Sequence, residues 1–185
     1  MDSINAIIGD IYEKISGLKG LSVQYENNID LMSYSEEEIR DKFLEKLKKN
    51  HKRELLQGTT LYGPHRDDFT FLLLEDDLKV YGSEGQKRLA IIAFKLAEVQ
   101  VFYQITNTMP ILLLDDIFSE LDVKKRNRLI ACLPTEIQIV ITTTDLKNIN
   151  RKLVKNAKIF VVDQGKITEK VGDKNGNGRK GRRNI

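Results

Sequence analysis

The apolar positions of this chain follow different rhythms along its length. Ile4, Ile7, Ile8, Ile11, Tyr12 and Ile15 fall at helical spacing and give one apolar face, which Ser16-Gly17 brings to an end. LSVQYENN (21–28) alternates as a short strand. Ser35 with Glu38 three residues on is the start signal of a second helix, carrying Ile39, Phe43, Leu47 and Leu55 and stopping at Gly58. TTLY (59–62) and FTFLLL (69–74) predict strands, and EDD (75–77) turns the chain into LKV (78–80). A long apolar helix is expected from about Gln86 to Ile105.

After that helix the apolar residues come in unbroken runs. ILLL (111–114) has the continuity of a strand buried on both faces, and EIQIVIT (136–142) and AKIFVVD (157–163) predict two more strands. VKKRNRLIACL and LKNINRKLV, lying between them, read as helices. Strand and helix in alternation imply parallel pairing, so the fold class is α/β. No internal repeat is visible.

Composition adds limits. A hydrophobic content of 41% over 185 residues supports a core, and the one cysteine, Cys132, excludes an internal disulfide, which fits a reducing compartment. No uninterrupted apolar run approaches the roughly 20 residues of a membrane span. The first residues, MDSINAIIGDIYEKI, lack the pattern of a signal peptide. The net charge of +3 is uneven: Gly172 to Ile185 carries +4, leaving −1 for the rest. That glycine-rich basic tail is expected to be disordered and solvated, with electrostatic contact to nucleic acid as the alternative. The charged face of the second helix (KFLEKLKKNHKRE) likewise reads as a solvated face, with DNA contact second.

Three places could carry chemistry. In ILLLDDIFSELD (111–122), the strand delivers Asp115 and Asp116 to the rim of the sheet, where open α/β folds bind ligands. Asp115 could orient Mg²⁺ and Asp116 polarise an attacking water; a strand end with two surface aspartates explains the same residues. In YGSEGQKR (81–88), glycines and Ser83 lead into a helix whose N–H groups could hold a phosphate, though a plain loop and helix start would look alike. ITTTDL (141–146) sets hydroxyls after a strand; β-branched strand residues and an Asx-type cap at Asp145 would do the same. GPHRDD (63–68) is a fixed turn with a dense polar cluster. A structural salt bridge of Arg66 with Asp67 or Asp68 is expected there, the alternative being a brace between the arm and a nucleotide site. His65 is read as structural, since no Cys/His spacing supports a metal.

Order and spacing join these motifs. The sequence resembles the ABC-type ATPase heads of the SMC-like group, in which a signature loop precedes the Walker B strand, a D-loop and a switch residue. With GTTLYGPHRDD (58–68), YGSEGQKRLAIIAFKLAE (81–98), ILLLDDIFSELD and ITTTDL, it is similar to the RecF family from roughly Ile4 to Ile167. GPHRDD and the threonine-rich switch argue against a generic SMC or RecN-like head. The resemblance implies Mg²⁺ at Asp115, catalytic roles for Asp116 and Thr144, and nucleotide contacts from Ser83, Gly85, Gln86 and Asp122. It implies ATP held between two heads of a homodimer, DNA-dependent ATPase activity and binding to gapped, single-stranded or duplex DNA. It further implies a cytoplasmic protein, away from membranes, that works with RecO and RecR to place RecA on single-stranded gaps.

A P-loop, G-x-x-x-x-G-K-[ST], is absent from these 185 residues. The resemblance therefore implies the C-terminal half of an ABC-type head, with a parallel-rich sheet and flanking helices. Its expected parts are a helical arm remnant (1–57), the half head (58–169) and a basic tail (170–185). On that reading the isolated chain binds ATP poorly and has negligible turnover. The competing readings are a non-catalytic DNA-binding or dimerisation module and an inactive truncated gene product.

Overall fold

A computed structural model of the chain describes residues 1–29, 31, 35–134, 136–144, 154 and 157–170. Of the expected helix over LKNINRKLV only Val154 is described; the cap at Asp145 and nearly all of the basic tail lie outside the described residues. The chain forms two compact units, Met1–Thr108 and Met109–Ile185.

The first unit is built around two helices. Helix α1 (Asp2–Ser16) buries Ile8, Ile11, Tyr12 and Ile15, the face its spacing predicts, and ends at Gly17, whose φ of 85° lies in the left-handed region. It lies against the long helix α4 (Glu84–Thr106), which buries Leu89, Ala90, Ala93, Leu96 and Ala97. By length and composition alone α4 is apolar enough to cross a membrane, although Lys95 and Glu98 interrupt its apolar run. In this structure its small and aliphatic residues form the core instead. Asn5 of α1 clasps strand β1 (Leu21–Glu26): its side chain donates to the Val23 carbonyl and accepts from the Val23 N–H, both at 2.9 Å.

Strand β2 (Asp68–Leu73) pairs antiparallel with β1 on one side and with the two-residue β3 (Asp76–Asp77) on the other. One predicted strand is absent. TTLY forms no strand, because Thr59 and Thr60 are engaged by Arg66. LKV falls within a short helix, α3 (Leu78–Tyr81), because the Asp77 carboxylate caps it by accepting from the Lys79 N–H at 2.7 Å. Phe69 and Phe71 of β2 pack on Phe94 of α4 at centroid distances of 5.4 and 5.6 Å. Helix α2 (Glu36–Gln57) begins at the expected Ser35 cap and has no buried residue. The expected boundary at 57/58 does not coincide with a division between compact units, since β1 pairs with β2 across it.

In the second unit, β4 (Ile111–Asp115) and β5 (Gln138–Thr142) pair in parallel, Asp115 opposite Thr142. Helix α5 (Val123–Cys132) connects them. The α/β class holds, with parallel pairing confined, among the described residues, to this one pair. Burial differs from the expectation: Leu112 and Leu114 are buried while Leu113 is 69% exposed, so β4 covers one face only. The third strand, β6 (Ile159–Asp163), was expected to extend the parallel set. It instead forms an antiparallel hairpin with β7 (Lys166–Lys170). Gln164 and Gly165, at φ 47° and 78°, make the two-residue turn that reverses the chain.

Candidate functional site

Within the second unit the candidate site is the C-terminal end of β4. The parallel register sets Thr142 beside Asp115, and the Thr142 hydroxyl donates to the Asp115 carboxylate. The same hydroxyl oxygen accepts the Asp116 N–H at 3.0 Å. One threonine thus fixes both the first carboxylate and the backbone of the second. Asp116 has φ 48° and ψ 18°, a left-handed conformation that aspartate tolerates better than most residues, and it opens a 3₁₀ turn over Ile117–Glu120. Its carbonyl accepts from the Ser119 hydroxyl at 2.8 Å. The turn is anchored by Phe118, which is 1% exposed. Both aspartates are exposed, as a site that receives a ligand requires.

Asp122 follows as the N-cap of α5. Its carboxylate accepts the Lys125 N–H at 2.8 Å and stands 3.4 Å from the Lys125 ammonium. The Lys125 N–H is the main reason its pKa lies below the ordinary aspartate value, with the ammonium adding to it. Thr144 is exposed just beyond β5.

In the first unit, Ser83 caps α4. Its oxygen accepts the Gln86 N–H at 3.3 Å, and the Gln86 side-chain oxygen accepts the Ser83 N–H at 2.7 Å, a reciprocal capping box. Gln86 is therefore spent on the cap, whereas Ser83, exposed and accepting, keeps its hydroxyl proton for an outside acceptor. Gly82 is required by packing: a Cβ there would come within 2.5 Å of the Leu78 carbonyl. Gly85 lies in the first turn of α4. A cavity of about 420 Å³ opens beside these turns, bordered by Leu78, Lys79, Lys87 and the acids Glu26, Asp68 and Asp77. Its mixed charge gives it no preference for phosphate.

GPHRDD differs from the expected salt bridge. Arg66 donates to the Thr60 carbonyl at 3.0 Å and to the Thr59 hydroxyl at 2.9 Å, just after α2. Asp67 accepts the Asn28 N–H at 3.0 Å and the Tyr25 hydroxyl, at the end of β1. The motif thus holds the segment just after α2 through Arg66 and the end of β1 through Asp67.

Sequence reasoning missed Thr142. It sits inside ITTTDL, where attention fell on Thr144; the signal was its position directly opposite Asp115 once the two strands are paired in parallel.

A strand ending in paired carboxylates, the tight turn after it, and a separate capped helix led by Gly-Ser define part of an ABC-type ATPase head. No protein-family model matches the chain. It is 40% identical over 154 residues to the DNA replication and repair protein RecF of Ligilactobacillus salivarius, covering 83% of this chain and 41% of that protein. It is 39% identical over 160 residues to RecF of Enterococcus faecalis, covering 85% and 43%. Among solved structures it resembles the recombination mediator protein RecF-ATPrS of the RecFOR pathway, with TM-score 0.67 and 30% identity over 91% of this chain and 44% of that one. A second, RecF-ATP, gives TM-score 0.64 and 29% identity. The chain belongs to the RecF family, and it spans about two fifths of the length of these relatives.

Proposed function

We propose that the chain supplies the Walker B, D-loop and signature elements of a RecF-type ATPase head acting in DNA replication and repair. The observation that supports this most is the Thr142 hydroxyl, which holds Asp115 and the Asp116 backbone together at the end of a parallel strand. A bare pair of surface aspartates needs no such alignment. Nucleotide-bound RecF structures are among the chain's structural relatives, which supports ATP as the ligand.

The residues suit magnesium. Mg²⁺ is usually held by one or two carboxylates together with substrate phosphates and water, not by a dedicated protein cage. Among the described residues no cluster of three or more His, Cys, Asp or Glu forms such a cage, while Asp115 offers an aligned, exposed oxygen. Bound there, the ion would neutralise phosphate charge. Asp115 would hold it, Asp116 would orient and deprotonate the attacking water, and Ser83 would donate its free hydroxyl to a phosphate oxygen of the partner head's nucleotide. Gly85 and Gln86 would shape that loop, Asp122 would set the D-loop, and Thr144 would contact the γ-phosphate side.

The proposal carries the rest of the family's activity: an ATP-sandwiched homodimer in the cytoplasm, binding gapped, single-stranded or duplex DNA, with RecO and RecR, to load RecA. Its parts remain an arm remnant (1–57), a half head (58–169) and a basic tail (170–185). Because these 185 residues contain no P-loop, this chain alone should bind Mg-ATP weakly and turn it over negligibly. The test is titration of a Mg-ATP analogue against the chain, with and without a second polypeptide carrying the P-loop region of a RecF relative. Tight binding only in the mixture supports the proposal. Robust hydrolysis by the chain alone, abolished by Asp116→Asn, overturns the negligible-turnover part; no binding in the mixture overturns the nucleotide part.

A further inference from the structure

We propose that the C-terminal half of α2 is a docking surface for the phosphate backbone of duplex DNA, formed by Lys48, Lys49, Lys52 and Arg53. The inference rests on the DNA-binding part of the proposed function and gives it a location. All four side chains are exposed, on a helix that buries none of its residues. Among the described residues none of the four has a carboxylate within ion-pair distance. Four other helical lysines are neutralised at i, i+3: Lys42, earlier in α2, with Glu45, Lys87 with Glu84, Lys95 with Glu98 and Lys125 with Asp122. The stretch from Lys48 to Arg53 abandons that arrangement.

Its local energetics are unfavourable. Lys48 and Lys52, and Lys49 and Arg53, are like charges at i, i+4, each pair destabilising a helix by about 0.2–0.5 kcal/mol. The helix dipole does not compensate, because it acts within the last turn, and the last turn of α2 has no basic residue. A polyanion laid along this half of the helix would relieve the repulsion. The negative first turn, Glu36 to Glu38, would keep that polyanion at the other end.

The chemistry favours a duplex over a single strand. Binding to single strands relies chiefly on exposed aromatic rings for base stacking; the one Phe, Tyr or Trp of α2, Phe43, is half-buried, and His51 is its single exposed ring. Four cations around one imidazole, with no exposed Phe, Tyr or Trp among them, suit sequence-independent contact with phosphates. The surface is also presented from a fixed root: Arg66 grips Thr59 and Thr60 directly after the helix, and Glu54 accepts the Leu61 N–H at 2.7 Å.

The test measures binding of the full chain to a labelled duplex, and to a single strand of equal length, across a salt series. Changing Lys48, Lys49, Lys52 and Arg53 together to Gln should weaken duplex binding about tenfold or more at low salt. It should also make the slope of log K against log salt shallower by about 3 to 4, the expectation for four lost phosphate contacts. Changing the three lysines to Arg should preserve both. Circular dichroism of the Gln variant should show helicity unchanged or slightly raised. A parallel variant with Arg179, Lys180, Arg182 and Arg183 changed to Gln separates the tail from the helix.

An unchanged slope in the α2 variant overturns the inference, as does equal loss in the Arg version. Preferential single-strand binding, or polyglutamate competing as well as duplex, assigns the surface to another partner and also overturns it. If the parent chain binds no duplex, both the inference and the DNA part of the proposed function fall. The nucleotide part is then judged separately by the two-polypeptide titration.

Discussion

The Thr142 hydroxyl donates to the Asp115 carboxylate and accepts the Asp116 N–H at 3.0 Å, so the last residue of β5 sets the geometry of the last residue of β4 and of the one after it. Parallel pairing makes this possible, because the ends of β4 and β5 emerge at the same edge in register. Thr142→Val keeps the β-branched shape and removes the hydroxyl. The expected result is faster hydrogen exchange at the Asp116 amide and weaker Mn²⁺ binding by several-fold, with Thr142→Ser restoring both. Unchanged exchange in the Val variant would show that the hydrogen bond does not hold in solution.

Arg66 offers a second test. Its guanidinium spans the Thr60 carbonyl and the Thr59 hydroxyl, a fork that a lysine ammonium cannot reproduce. Arg66→Lys should therefore behave like Arg66→Ala. Each should cost about 1 kcal/mol of stability and speed exchange at the last turns of α2. A lysine variant indistinguishable from the parent would mean that charge alone matters there.

How much of this was legible beforehand depended on whether the deciding interaction was local. The Ser35 and Ser83 caps, the apolar face of α1 and the span of α4 follow from neighbours in sequence, and the structure matches them. The misreadings turn mainly on contacts that the local pattern does not show. TTLY has strand-forming residues, but Arg66 captures its backbone. ILLL is continuous, yet only alternate residues are covered, since continuity alone cannot reveal which face has a partner. β6 is the exception, because its local turn at Gln164-Gly165 decides for a hairpin with β7 over a parallel strand. In the candidate site, the aspartates were visible from their place at a strand end. Thr142 was not, because its role exists only after pairing.

Asp122 gives an acid-side prediction. Its folded pKa is held below the ordinary value, chiefly by the Lys125 N–H, so its contribution is present above the unfolded pKa and is lost as pH falls through the folded one. Asp122→Asn should keep the cap of α5 while removing that pH dependence, and Asp122→Ala should lose both. Thermal melts between pH 7 and pH 3 read the difference. An Asn variant with the parent's acid sensitivity would contradict the assignment.

Tyr12 gives the alkaline counterpart. Burial pushes its hydroxyl above the ordinary 10.0, so its stabilising contribution is complete below the unfolded pKa and disappears as pH rises through the folded one. Tyr12→Phe cannot ionise and should flatten the fall in stability above pH 10. The check is urea unfolding at several alkaline pH values; parallel curves for parent and variant would place the alkaline sensitivity elsewhere.

Asp116 tests whether function is bought with strain. Its left-handed backbone costs an L-residue about 1 kcal/mol, less for aspartate than for most, and nothing for glycine. Asp116→Gly should therefore leave stability unchanged or raise it by up to about 1 kcal/mol, measured as the urea midpoint. Asp116→Val, branched at Cβ, should lower it. If Asp116 orients the water, the Gly variant should also abolish hydrolysis in the mixture with the P-loop polypeptide while retaining analogue binding. A residue kept in a strained conformation that stability alone would not select, and needed only for turnover, has the profile of a catalytic group. Retained turnover in the Gly variant would instead assign Asp116 to the geometry of the turn.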